Sequence, residues 1–131
     1  MSTTSSSSPA LTQSDDYPYP VTLNITNFVS LRLSSTNFLL WKTQMLNILE
    51  SYDLQGFING EVQPPPQFIN NADSGTQTNP AFIKWHKTDR LVKGWLIATL
   101  FEEVLGITVG LNTAFEVWNA LVHAFAHVSL D

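Results

Sequence analysis

The sequence predicts an all-α fold: a small bundle of three to four helices, with an extended N-terminal arm and a disordered N-terminal tail. Two observations carry this prediction. Apolar residues recur at spacings of three and four along three long stretches, as they do on one face of an α-helix. Ser, Thr or Asn residues stand before each stretch, where a helix needs acceptors for its first backbone N–H groups.

Composition divides the chain at residue 20. Residues 1–20 consist largely of Ser, Thr and Pro, so we expect a disordered tail that cannot offset the entropy cost of its own ordering. Residues 21–131 are long enough for one helical domain with a single core. Within it, residues 21–25 and 29–33 alternate apolar and polar side chains, which predicts the extended arm.

Charge and targeting signals limit the classes of function. The formal net charge of −5 argues against strong nucleic-acid binding, which depends on Lys and Arg contacts with phosphate. No apolar stretch reaches the roughly 20 residues that span a bilayer, and the N-terminus lacks the basic and apolar regions of a secretory signal. With no cysteine in the sequence, disulfide scaffolds and thiolate metal sites are excluded. We therefore expect a cytoplasmic protein without membrane contact.

The first helix is predicted to begin near Thr36, with Ser34, Ser35 or Thr36 as its cap. Gly56 is its predicted stop. Its apolar stripe consists of Phe38, Trp41, Met45, Ile48 and Tyr52.

Residues 60–78 are predicted to form a long surface loop, because three consecutive prolines cannot lie inside a helix and the residues after them are polar. A second helix should begin with Asn79 as its cap and Pro80 as its first residue, and should run towards Leu100. Thr113 and Glu116 form a predicted capping box for a last helix. That helix has no stop signal before Asp131, so we expect the chain to be truncated at its C-terminus.

Four basic residues of the second helix form a window of net charge +3 with one acid, Asp89. A solvated helix face is the default interpretation, and weak contact with phosphate or with an acidic partner is the alternative. These residues are Lys84, Lys87, Arg90 and Lys93.

Two sequence patterns could indicate a catalytic or a metal site, but each lacks the surrounding residues that such a site requires. Asp73-Ser74-Gly75 matches the tripeptide of aspartic proteases, but polar residues precede it where those enzymes need an apolar strand, so we interpret it as a turn. His123 and His127 share a helix face and could hold a metal, yet no third ligand accompanies them, which favours a surface pair. The four tryptophans are predicted to pack in the core, with one or two as candidates for a subunit interface. We predict no catalytic, cofactor-binding or metal-binding residue, and no enzyme.

Three stretches together resemble a known family. Residues 33–45 contain L-x-x-x-N-F-x-x-W-K-x-x-M, residues 56–60 read GFING before the prolines, and residues 79–121 contain N-P, three tryptophans and T-A-F-E-V-W. In this order they are similar to the N-terminal Gag region of copia-type LTR retrotransposons, which are abundant in plants. The signature and core residues are Asn37, Phe38, Trp41, Met45, Gly56, Gly60, Pro80, Trp85, Trp95, Leu100, Trp118 and Leu121.

The resemblance implies a helical capsid-type domain that associates with itself or with other Gag chains into particles around the element's RNA. It implies only indirect or weak RNA contact for this region, no cofactor and no small-molecule substrate. In the family, further Gag helices, often a zinc knuckle, and then the protease, integrase and reverse transcriptase lie downstream. Three alternatives stay open: a host-adapted helical protein-binding domain, a non-functional remnant of a transposon polyprotein, and a fragment of an active polyprotein enzyme.

Overall fold

The structure is a computed structural model that describes residues 17–20 and 23–129, with the side chains of residues 127–129 excepted. Residues 1–16 of the predicted tail lie outside the described residues. Within the described residues the chain forms five α-helices, one β-hairpin and two short 3-10 turns, Ile25–Asn27 and Gly106–Thr108. The named elements are α1 (Phe38–Ser51), α2 (Gly56–Asn59), β1 (Phe68–Asn71), β2 (Gly75–Thr78), α3 (Pro80–Ala98), α4 (Glu102–Leu105) and α5 (Ala114–Ser129).

The all-α prediction is wrong, because the fold is mostly helical but contains an antiparallel sheet of two strands. Strands β1 and β2 pair with Phe68 opposite Thr78, within the 60–78 stretch that was predicted to be a loop. Both strands are largely exposed, so they lack the alternation of apolar and polar residues by which a half-buried strand is recognised. The signal for the hairpin was Gly75, whose φ of +78° closes the turn formed by residues 72–74.

Helix α1 begins at Phe38, two residues later than predicted, and none of Ser34, Ser35 and Thr36 caps it. The preceding residue is Asn37, whose side chain makes no capping hydrogen bond to the helix. Its Oδ1 instead accepts from the backbone N–H of Ser34 at 2.8 Å, and its Nδ2 donates to the carbonyl oxygen of Arg32 at 2.9 Å. Asn37 therefore fixes the direction in which the arm enters the helix.

The start signals of the two later long helices are confirmed. Asn79 Oδ1 accepts from the backbone N–H of Ala81 at 3.1 Å, and Pro80 is the first residue of α3. Before α5, Thr113 Oγ1 accepts from the backbone N–H of Glu116 at 3.1 Å. The Glu116 carboxylate accepts in return from the backbone N–H of Asn112 at 2.7 Å, one residue earlier than the usual capping box.

The arm is joined to the segment between α3 and α4. Leu33 forms a parallel bridge with Leu100: its N–H donates to the carbonyl oxygen of Thr99 at 2.8 Å, and its carbonyl oxygen accepts from Phe101 at 3.0 Å. Further upstream, Thr88 Oγ1 donates to the carbonyl oxygen of Pro18 at 2.9 Å. Residues 17–20, which the sequence places in the tail, thus contact helix α3.

A single apolar cluster runs through the described part of the chain. Helix α5 contacts α1, α2 and α3, so it closes the core from one side. Among the described residues, no helix combines the length and the apolar character that crossing a membrane requires.

Gly94 in the middle of α3 is exposed, and a Cβ placed on it would meet no heavy atom within 4 Å. We expect Gly94→Ala to raise the free energy of unfolding by about 0.5–1 kcal/mol, because alanine loses less backbone entropy in a helix. Urea denaturation followed by tryptophan fluorescence measures the change. Gly75→Ala is the control: its positive φ should make alanine destabilising there. A less stable Gly94→Ala variant would contradict the prediction.

Candidate functional site: the signature core and the groove beside it

Trp41 lies at the centre of the core with no exposed surface. Its indole N–H donates to Thr99 Oγ1 at 3.0 Å, and that hydroxyl lies 3.1 Å from the carbonyl oxygen of Trp95 and 3.0 Å from that of Leu96. A buried indole needs such an acceptor, because an unpaired N–H in an apolar core is costly. Trp41 thereby ties α1 to the C-terminal end of α3.

The ring of Trp41 stacks on that of Trp118 from α5, with centroids 5.6 Å apart and planes inclined by 30°. The ring of Phe38, at the start of α1, contacts both helices: its centroid lies 6.3 Å from that of Trp41 on α1 and 6.4 Å from that of Phe125 on α5. Leu121, also on α5, is fully buried in the same apolar cluster. The first and last long helices are therefore joined by two aromatic contacts, of which the Trp41–Trp118 stack lies between residues of the family signature.

The second signature stretch is shaped by a close approach of the chain to itself. A Cβ on Gly56 would lie 2.5 Å from Cγ2 of Val62, and the backbone N–H of Val62 donates to the carbonyl oxygen of Gly56 at 3.0 Å. Gly60 follows the end of α2 and lies beside the ring of Phe115. Glycine at position 56 thus lets the chain fold back before the prolines.

The two remaining tryptophans pack at the margins of the core. Trp85 stacks on Phe57 with centroids 6.4 Å apart, and Trp95 meets Tyr52 edge-on at 6.3 Å. Of the twelve predicted signature and core residues, nine are buried, whereas Asn37 and Gly60 are half-buried and Pro80 is exposed. The structure therefore gives most of the signature a packing role.

A groove lies beside this core, between the chain after α2 and the start of α5. Its two adjoining cavities, of about 280 and 470 Å³, share Pro64, Trp85, Asp89 and Thr113 as lining residues. Phe57 and Phe115 line the first cavity, which is mainly apolar. The indole N–H of Trp85 is buried and has no hydrogen-bond acceptor among residues 17–20 and 23–129.

Asp89 is a buried polar residue that the sequence interpretation treated only as part of the charged window. Only 2% of its surface is exposed, and its Oδ1 accepts from the backbone N–H of Ala114 at 3.1 Å. Asp89 of α3 therefore caps the first turn of α5 from outside that helix. The spacing of residues in the sequence could have indicated that Asp89 is buried, because Trp85, Asp89 and Val92 occupy one face of α3.

Burial raises the pKa of Asp89 above its ordinary value of 3.8, although the Ala114 N–H and the charges of His86, Lys93 and Arg90 act in the opposite direction. The folded protein therefore holds this proton more tightly than the unfolded chain does. The resulting stabilisation is present below about pH 3.8 and is lost as the pH rises through the raised pKa.

We expect Asp89→Asn to remove this pH dependence, because asparagine can still accept from Ala114 N–H without ionising. The free energy of unfolding of the variant should rise relative to that of the wild type as the pH increases from about 3 to 8. Urea denaturation at each pH measures the difference. Asp89→Ala is the control that also loses the cap, and it should be less stable than Asp89→Asn by about 1 kcal/mol at every pH. A difference between Asp89→Asn and wild type that does not vary with pH would contradict the assignment.

The four basic residues of α3 do not form one ridge. The Lys87 ammonium lies 4.7 Å from the centroid of the Tyr19 ring, on the side of α3 where residues 17–20 pack. Arg90 and Lys93 instead line the larger cavity, and Arg90 Nε donates to Nε2 of His86 at 3.1 Å. Lys84 is exposed near the start of the helix.

The sequence patterns considered as catalytic or metal sites lie in the turn of the hairpin and on α5. Asp73 and Ser74 lie in the exposed turn of the hairpin, where the backbone N–H of Asp73 donates to Asn71 Oδ1 at 2.8 Å. His123 is exposed on α5, and the side chain of His127 lies outside the described residues. In the described part of the chain, no three His, Cys, Asp or Glu side chains are grouped so that they could hold a metal ion.

Fold and site together define a small, mostly helical structural module whose motif residues build an aromatic core. Comparison with known proteins agrees with this class. The family model for the Gag polypeptide of LTR copia-type elements matches residues 26–66. Two Arabidopsis thaliana proteins, the retrovirus-related Pol polyproteins from transposons RE1 and RE2, are each 28% identical over 107 residues, which cover 82% of this chain.

The chain spans about 7% of the length of these curated relatives. No solved structure matches it significantly. The resemblance predicted from the motifs is confirmed: the chain is similar to the Gag region of plant copia-type retrotransposon polyproteins. The matching family is a structural polypeptide rather than one of the polyprotein's enzymes.

Proposed function

We propose that this chain is a non-enzymatic structural module that associates with other copies of itself into capsid-like particles around the RNA of a copia-type element. The proposal rests on the similarity to copia-type Gag and on one feature of the surface. Assembly in the cytoplasm is part of the proposal, and the absence of cysteine fits the reducing conditions there.

The observation that carries the proposal is a run of exposed apolar side chains between α3 and α5. Four large apolar residues stand exposed within residues 101–109, and Val109 has 78% of its surface in solvent. Such concentrated exposure is unusual on a monomeric protein and marks interaction surfaces. The four residues, which we call the apolar segment, are Phe101, Leu105, Ile107 and Val109.

Sedimentation velocity and light scattering of the full chain over a concentration series test this function. We expect oligomers that grow with concentration, and particles in electron micrographs when RNA is added. Phe101→Ser with Val109→Ser should weaken association, whereas Phe68→Ser, on the exposed hairpin, should not. A strict monomer at every concentration, with and without RNA, would contradict the proposal.

The groove beside Trp85 supports a second candidate function, a helical domain that binds a cellular protein. An aromatic-lined groove that contains a buried N–H without an acceptor is suited to an extended peptide that offers a carbonyl oxygen. A monomer that binds such a peptide, and loses it on Trp85→Phe, would favour this candidate. Trp95→Phe is the control, because Trp95 lies outside the groove lining.

A further inference from the structure

The outward face of α3 carries a line of residues of distinct chemistry. Ile83, Lys87, Arg90 and Gly94 follow one another at spacings of four, three and four, so they share one helix face, and all four are exposed. Ile83 is apolar with 55% of its surface in solvent. Lys87 and Arg90 carry positive charge and remain exposed, although the Lys87 ammonium also lies over the Tyr19 ring and Arg90 Nε donates to His86. A Cβ on Gly94 would meet no heavy atom within 4 Å, so nothing in the described chain covers this end of the face.

Two negatively charged residues lie next to the apolar segment, opposite in sign to Lys87 and Arg90. Glu102 and Glu103 open α4, directly after Phe101 and before Leu105, and both are exposed. Leu105 N–H donates to the carbonyl oxygen of Phe101, which places these two apolar side chains on the same face, one turn apart. The segment thus combines two carboxylates with exposed apolar side chains.

We propose that the outward face of α3 in one chain docks on the apolar segment and its two carboxylates in a second copy. The inference rests on the proposed function and names the two surfaces that would perform it. Ile83 offers an apolar contact for Phe101 and Leu105, while Lys87 and Arg90 pair with Glu102 and Glu103. Charges arranged this way select the partner and the register of docking.

The two surfaces belong to different parts of the chain, so the contact is heterologous. Each copy keeps one surface of each kind free after its first contact and can bind a further copy. Repetition of one such contact produces rings if the rotation closes and open filaments if it does not. A second copy is a better fit than RNA, because the chain is acidic overall and the complementary surface includes two carboxylates.

Charge reversal on each surface tests the inference on the full, nuclease-treated chain. One variant is Lys87→Glu with Arg90→Glu, and the other is Glu102→Lys with Glu103→Lys. Their controls change net charge equally at exposed or half-exposed sites elsewhere. The controls are Arg32→Glu with Lys42→Glu, and Glu50→Lys with Glu61→Lys.

We expect each surface variant alone to associate at least about tenfold more weakly than wild type, because like charges would face each other. A mixture of the two variants should restore association, since each then meets a complementary surface. The controls should associate as the wild type does, and added salt should weaken the wild-type contact.

Surface variants that associate as the wild type does, or a mixture that shows no recovery, would overturn the inference and leave the proposed function standing. Loss of RNA binding without any loss of association would also overturn it. A wild type that never associates would instead defeat the proposed function. Recovery in the mixture also shows that both variants are folded.

Discussion

Trp41→Ala is expected to lower the free energy of unfolding by about 3–5 kcal/mol, the range for truncating a large aromatic residue in a core. Trp41 has no exposed surface, and its removal leaves a cavity against Trp118 and strips Thr99 Oγ1 of its indole donor. Urea denaturation followed by circular dichroism measures the loss. A domain of this size has only about 5–15 kcal/mol of total stability, so the loss would remove a large share of it.

Trp41→Phe separates packing from hydrogen bonding. Phenylalanine keeps a ring against Trp118 but has no N–H for Thr99, so we expect an intermediate loss, smaller than that of Trp41→Ala. Thr99→Val should partly reproduce it by leaving the indole without an acceptor. Melting curves identical to wild type for Trp41→Ala would show that the indole does not hold α1 to α3.

Trp118→Ala is the second change of large expected effect, again about 3–5 kcal/mol. Trp118 retains 8% exposure, so we place its effect towards the lower end of this range. Its ring stacks on Trp41, and the double variant should therefore lose less stability than the two single losses combined. A double-variant cycle by urea denaturation gives the coupling.

Additive losses in that cycle would show that the two rings do not depend on each other. Phe115→Ala provides a control on the same helix, because its ring is 45% exposed and its truncation should cost far less. A Trp118→Ala variant as stable as wild type would show that the packing of this indole in the core does not stabilise the fold.

The parts of this fold that the sequence predicts are those that depend on local chemistry. Apolar spacing identified α1, α3 and α5, and the caps at Asn79 and Thr113 identified where two of them begin. Each of these signals involves residues within one or two helical turns. These patterns can therefore be recognised in the sequence without knowledge of the tertiary structure.

The parts that the sequence interpretation missed depend on contacts between distant segments or on exposed backbone. The strands of the hairpin bury almost nothing, so the sequence indicated only the turn at Asp73-Ser74-Gly75 and not the strands on either side. Asn37 was predicted only as a residue of the family signature, whereas in the structure its side chain forms hydrogen bonds with the backbone of the preceding arm. Asp89 was treated only as the one acid of the basic window, whereas it caps a helix that begins 25 residues further on.

The candidate surfaces show the same division. The basic window was evident from the sequence, but the contact of Lys87 with Tyr19 depends on the path of residues 17–20 over α3, and the sequence alone does not reveal it. The apolar segment was not predicted, because the sequence does not show which apolar residues of this short stretch the fold leaves exposed. Exposure is a property of the folded chain, and spacing alone does not reveal it.

The order in which this chain leaves the ribosome has a consequence for its biogenesis. The hydrogen bond from Trp41 joins residues 58 positions apart, and the stacking partner Trp118 is synthesised later still. The apolar stripe of the first long helix must therefore wait, uncovered, until most of the domain has been translated. Apolar surface that is exposed in this interval is prone to aggregation. Nascent copies on one messenger would consequently meet molecular chaperones, or each other, before their cores are closed.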